Sequence, residues 1–230
     1  MSADMEQPPP GIVTYSYTLL HNRLLGLCDD LVGEVEASEQ GNAQIHDPGA
    51  RALGAIVLAD TAIEIGINHL TEIAFPPRGM MPTHWPVFQF AFERLHRSLR
   101  PYERLKALAA MMRISQAWDE EPWLSLRDLH LIRNALQHYE AAPVRASDPG
   151  LKTFPNEERL RPIAQRLGTW SRYETGGTWL EAFLNALVAR WAHNTAQEIL
   201  HTIRADPWRR GIPFPPSDLV HQEGDSTGGA

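Results

Sequence analysis

The chain predicts an all-α fold, a bundle of about five to seven helices with flexible termini, on three observations. Apolar residues recur at three- and four-residue steps over long runs. No stretch alternates apolar and polar as a half-buried strand does, and no internal repeat is present. Helix start and stop signals bracket the periodic runs.

Residues 1–13 read as a flexible segment, since Met1 to Pro10 is acidic and Pro-rich. From Thr14 to Ala37, Tyr17, Leu20, Leu24, Leu27, Leu31 and Val35 fall on one side of a helical wheel and mark a first amphipathic helix. Gly41 to His46 is its exit loop. Asp47-Pro48 then supplies an N-cap followed by proline at the first helical position, where the missing N–H is harmless. Leu53, Ile56, Ile63, Ile67 and Leu70 carry this second helix to Ala74. The segment Phe75 to Pro86 contains four prolines and a glycine and is a loop. Val87 to Leu99 reads as a short helix, and Pro101 opens another that runs to Trp118 before Asp119-Glu120-Glu121-Pro122 breaks it.

Ser125-x-x-Asp128 resembles a capping box and opens a further helix, unless Trp123 starts it earlier; Ala141-Ala142-Pro143 ends it. Val144 to Pro155 is a loop. Leu160, Ile163, Leu167 and Trp170 suggest a short helix opened by Pro162. Thr178-x-x-Glu181 is a capping box before a long last helix, whose buried side is Trp179, Phe183, Leu187, Trp191 and Ile199 as far as Arg204. Residues 205–230, with four prolines and a Gly/Ser-rich acidic end, read as a flexible tail. One helical domain over residues 14–204 is therefore expected.

Composition narrows the class. Apolar residues make up 43% and charged residues 21%, the balance of a globular protein rather than a disordered or membrane chain. No apolar run approaches about 18 residues and the N-terminus lacks the basic-then-apolar order of a signal peptide, so a cytoplasmic protein without membrane partners is expected. Cys28 is the single cysteine. It allows no internal disulfide and no thiolate zinc site within one chain, and it reads as a small core hydrophobe. H-E-x-x-H, C-x-x-C, Gly-rich phosphate loops and G-x-S-x-G elbows are absent, and His130 and His138 lack an obvious third ligand. No metal or other cofactor is expected.

The polar chemistry concentrates in Arg133-Asn134-Ala135-Leu136-Gln137-His138. On a wheel of about 100° per residue, Leu129, Ile132, Leu136 and Tyr139 form one apolar stripe within about 80°. His138, Asn134 and Arg127 lie on the opposite side, and Leu131 with them. Arg133 flanks the stripe at about 70°, where its stem can follow apolar surface while the guanidinium reaches outward.

The run Asp128-Leu-His-Leu-Ile-Arg-Asn-Ala-Leu-Gln-His138 resembles the signature of HEPN domains, small helical proteins whose R-x4-6-H motif, usually with a polar residue after the arginine, marks metal-independent endoribonucleases. The earlier Leu58-Ala-Asp-Thr-Ala-Ile-Glu64 is similar to the opening helix of that family. The resemblance covers residues from about 50 to 204, and the motif is its specific part. It implies an RNA-cleaving toxin or phage-defence protein that acts as a homodimer, with two motifs facing one cleft, and that has an antitoxin or regulatory protein partner. It also places an acidic residue of an early helix near the cleft, for which Glu64 is the candidate.

The residue types suit that chemistry. Metal-free RNA cleavage needs a base for the ribose 2′-hydroxyl, an acid for the departing 5′-oxygen and positive charge for the phosphorane between them. His138 can give or take a proton near neutral pH. Arg133 offers a planar, permanently charged fork of donors. Asn134, four residues before His138 on the same face, can steady a ring nitrogen or a phosphate oxygen. A single histidine is few for both proton transfers, which favours a site built from two copies across a two-fold axis. The alternative pairs Arg133 with Asp128 or Glu140 and leaves His138 to close a helix. A sub-branch of the family carries R-x4-H-x-Y, whose tyrosine a partner nucleotidyltransferase modifies. Here Tyr139 directly follows His138 and Glu140 occupies the tyrosine's place.

A net charge of −7 disfavours a general nucleic-acid coat. The charge is uneven, however: Arg94, Arg97, Arg100, Arg104, Lys106 and Arg113 face one acid, Glu103, between residues 94 and 113. Arg97, Arg100 and Arg104, with Arg127 on the motif helix, are the candidates for RNA phosphates; a solvated basic face is the alternative. Asp29, Asp30, Glu34, Glu36 and Glu39 gather early in the chain.

Overall fold

The structure, a computed structural model, describes residues 11–74, 99–111, 114–137, 157–171 and 179–204. Among them are six α-helices, one 3₁₀ turn and no strand: α1 (Gly11–Glu39), α2 (Pro48–Ala74), α3 (Pro101–Met111), α4 (Trp123–Gln137), α5 (Glu157–Arg166), the 3₁₀ turn Trp179–Ala182 and α6 (Ala186–Arg204). The fold is all-helical, as the apolar periodicity predicts. No helix among the described residues is long and apolar enough to cross a membrane. The loops expected over Phe75–Pro86 and Val144–Pro155, nearly all of the helix expected over Val87–Leu99, the Thr178 cap and the tail from residue 205 lie outside the described residues.

Local chemistry accounts for most helix ends. Asp47 Oδ1 accepts from the Ala50 N–H at 2.9 Å, so Asp47 is the N-cap of α2 with Pro48 first in the helix. Gly41 ends α1 at φ 74°, with Gly41 N–H bonded to Ser38 O and Asn42 N–H to Ala37 O; Gly168 repeats the arrangement after α5 at φ 73°. Both turns need a left-handed residue, which glycine adopts without penalty. Asn185 Oδ1 caps α6 through the Val188 N–H, and the Glu39 carboxylate at the end of α1 accepts from the Ala186 N–H.

Four expectations are corrected. The last helix is not continuous: Asn185 starts α6 afresh after the 3₁₀ turn, so Phe183 and Ile199 are buried while Leu187 stands out in solvent. Pro162 does not open α5 but sits inside it, on an exposed face where the carbonyl it deprives of a donor can bond water. α3 stops at Met111 rather than Trp118, and the Ile114 N–H folds back on Ala109 O just beyond it. Most consequentially, α1 buries His21, Cys28, Val32 and Val35, while Leu20 and Leu27 of the expected core stripe are exposed. Burial on α1 is thus turned away from the leucines that carry the sequence periodicity.

The chain forms two compact units, residues 1–66 with 117–202 and residues 67–116 with 203–230. In the first, Cys28 Sγ donates to Ala55 O at 3.2 Å and ties α1 to α2, whose Ala52, Ala55, Ile56, Ala59, Ala62 and Ile63 are buried. α6 is clamped to α1 by Arg190: Nε and Nη2 grip the two Glu36 oxygens at 2.8 Å each, and Nη1 reaches Asp29 at 2.6 Å. In the second unit, Ile67, Leu70, Leu105 and Leu108 are buried, and Arg104 donates to Asn68 Oδ1 and to Leu99 O.

Two outcomes follow. The bidentate hydrogen bonds from Arg190 hold the Glu36 carboxyl below its ordinary range, so this stabilisation is present above that range and is lost as pH falls through the lowered value. Arg190→Ala should cost about 1 kcal/mol at pH 7, a value set by solvent screening of these part-exposed groups, and the deficit should shrink towards pH 3 in urea titrations. Burial pushes the Cys28 thiol up to about 12. The native chain should resist thiol reagents at pH 8, and it should lose stability as pH rises above about 9, where the unfolded thiol ionises and the buried one does not.

Candidate functional site

The motif helix α4 begins where Glu121 Oε2 accepts from the Ser125 N–H at 3.1 Å. Trp123, not Ser125, is its first residue, and the Ser125 and Asp128 side chains are buried rather than capping. Leu129, Ile132 and Leu136 are buried as the wheel predicts, and Trp123 and Leu126 add a second buried flank. Polar ties complete the seating within the first unit. Asp128 accepts from Arg166 Nη2 of α5 at 2.7 Å and from Arg127 Nε at 3.3 Å, Arg166 Nη1 also meets Glu121 at 2.9 Å, and Trp191 Nε1 of α6 donates to Ser125 Oγ at 3.3 Å.

On the side facing α2, one carboxylate meets two basic side chains of the motif helix. Asp60, whose side chain is 5% exposed, points at α4 with Oδ1 3.4 Å from His130 Nδ1 and Oδ2 3.4 Å from Arg133 Nε. The second contact is an ion pair by distance without the alignment of a hydrogen bond: Asp60 Oδ2 and Arg133 Nε are buried and lack hydrogen-bond partners among the described residues. Attraction between full charges, not a directed bond, therefore holds the pair. Arg133 Nη1 donates to Asn134 Oδ1 at 2.8 Å, while Nη2 has no hydrogen bond to a described residue and the side chain stays 23% exposed. The guanidinium is thus held at its base and side, and among the described residues its remaining edge is unbonded.

Arg133 does not simply reach outward: it pairs with Asp60 of α2 rather than with Asp128, and Glu140, the other expected partner, lies outside the described residues. Asn134 is joined to Arg133, and Arg127 is exposed beside Asp128. Glu64 is half-buried on α2 one turn after Asp60, and Asp60 is the acid that meets the motif helix. Arg100 is exposed in the second unit, and Arg104 is buried there with its donors on Asn68 and Leu99. His138, Tyr139, Glu140 and Arg97 lie outside the described residues. Among the described residues no group of three His, Cys, Asp or Glu side chains could hold a metal ion.

Comparison with protein-family models, with curated proteins and with solved structures finds no match. The site therefore stands on its own geometry.

Sequence reading missed two participants. Asp60 fills the gap in the α2 series Leu53, Ile56, Ile63, Ile67, Leu70: the steps of three and four require an apolar residue at 60, and an acid stands there. An ionisable residue at a core position of a periodic helix is a legible signal for a buried counter-ion. His130 is three residues before Arg133 and so shares its helix face, a spacing that places both within reach of one neighbouring carboxylate.

Removing one partner of this pair leaves a buried charge without compensation. Arg133→Ala should destabilise the chain by about 3 kcal/mol, and Asp60→Ala by a similar amount. The double variant should lose clearly less than the sum, as measured by urea denaturation in a double-mutant cycle; strict additivity would show that the two groups do not interact.

Proposed function

We propose that the chain is a metal-independent endoribonuclease of the toxin or phage-defence kind, in which Arg133 and His138 act on the phosphodiester and Asn134 supports them. The observation that carries this reading is the Arg133 fork: Asp60 lies at Nε, Asn134 holds Nη1, and Nη2 has no hydrogen bond to a described residue on a part-exposed side chain. A guanidinium held in this way meets a phosphate without first being ordered, and its attraction grows as the phosphorane gathers charge.

The reaction requires that a base take the proton from the 2′-hydroxyl as its oxygen attacks phosphorus. The P–O5′ bond breaks, the 5′-oxygen leaves with a proton from the acid, and a 2′,3′-cyclic phosphate remains. DNA lacks the nucleophile. His138 serves one proton transfer, and a second copy of the motif across a two-fold axis serves the other. Arg127, exposed on the same helix, suits a flanking phosphate. Asp60 acts as a positioning residue through Arg133. A protein that cuts RNA in its own cytoplasm calls for a neutralising or sensing protein partner.

A second reading has its own support. An arginine engaged by a buried carboxylate and a neighbouring amide is also what a structural ion pair requires, and it suits a non-catalytic helical module that binds RNA or a protein partner.

Purified chain incubated with tRNA, mRNA and DNA in EDTA separates the two. The nuclease reading expects RNA cut to 2′,3′-cyclic ends, DNA intact, and a loss of at least about 100-fold in His138→Ala with an unchanged melting temperature. RNA bound but uncut supports the binding module, and a chain that neither cuts nor binds RNA removes both RNA readings.

A further inference from the structure

The leucines that α1 does not bury form a surface of their own. Leu20, Leu24, Leu27 and Leu31 are spaced by four, three and four residues, the repeat that keeps a seam on one side of a helix packed against another helix. The seam lies about 80° around α1 from the face made by His21, Cys28, Val32 and Val35, which is buried within the chain. Leu20 and Leu27 are 46% and 53% exposed, two of the three large apolar side chains that stand in solvent among the described residues. Leu24 and Leu31 are half-buried, Leu31 lying against Gly54 of α2.

Arg23 and Asp30 border the seam on its far side. Both are exposed, and neither forms an ion pair with a described residue. They are seven residues apart and so occupy the same position of successive heptads. In an antiparallel helix pair, flanking positions of this type face one another across the interface. Layers of Leu24 against Leu27 of the partner subunit, and Leu20 against Leu31 of the partner subunit, bring Arg23 beside Asp30 of the partner subunit. The two-fold axis makes each of these contacts twice. A parallel pair would instead set Arg23 beside Cys28 of the partner subunit, a position sealed against α2.

We propose that this face of α1 docks a second copy of the chain, through an antiparallel α1–α1 pairing in which the leucine seam is covered and the Arg23 and Asp30 charges cross the interface. The pairing follows from α1 alone and is independent of the ribonuclease reading.

Sedimentation equilibrium of the full chain over a micromolar concentration series tests it. The wild type should sediment at twice the 25.9 kDa chain mass. Leu20→Glu with Leu27→Glu should weaken self-association at least about 100-fold, with the helical circular dichroism signal unchanged because both side chains are exposed within the chain. Arg23→Asp and Asp30→Arg should each weaken it about tenfold, and the two together should return it to within about threefold of the wild type. A chain that is monomeric throughout, as it would be if a segment of its own covered the seam, overturns the proposal. So does a dimer indifferent to the leucine changes, or one that the double charge exchange fails to restore.

Discussion

A carboxylate sealed between two helices is the constraint on which the motif side of this protein depends. Asp60 sits where the apolar series of α2 calls for a hydrophobe, and a charge at that depth is tolerated only beside a cation. Arg133 and His130 answer it from one face of α4, one to each oxygen. That demand fixes how α4 is rotated about its own axis. With Arg133 committed to α2, Leu129, Ile132 and Leu136 turn into the core, Asp128 meets Arg166 of α5, and Ser125 meets Trp191 of α6. Stability and any phosphate chemistry are therefore vested in the same guanidinium.

The remaining polar ties follow similar logic at lower cost. Arg166 bridges the start of α4 to α5 through Glu121 and Asp128, and Arg190 bridges α6 to α1 through Glu36 and Asp29. In each case a planar fork serves two carboxylates at once, a geometry that lysine cannot reproduce. The cluster of early acids is thus partly a docking rail for the last helix rather than a free negative surface.

Much of this was legible from residue order. The all-helical class, the Asp47-Pro48 start of α2, the turn at Gly41 and the core positions Leu129, Ile132 and Leu136 are local matters of periodicity and capping, and local chemistry decides them. The failures are tertiary. Leu20 and Leu27 belong to the strongest periodicity yet stand in solvent, because α1 turns Cys28 to α2 and buries His21, weaker signals by composition. Leu187 fails because Asn185 restarts the helix. Asp60 was overlooked in favour of Glu64 because nothing local distinguishes two acids one turn apart; only the interruption of the apolar series does.

The clamp that seats α6 also sets a schedule for synthesis. Glu36 and Arg190 are separated by 154 residues, and Glu39 waits 147 residues for the helix end it caps. At about 5–20 residues per second, α1 emerges from the ribosome roughly seven to thirty seconds before its partner exists. During that interval the Glu36 and Glu39 carboxylates have no α6 to meet. Maturation of this protein is then paced by its last helix, however early the first one coils.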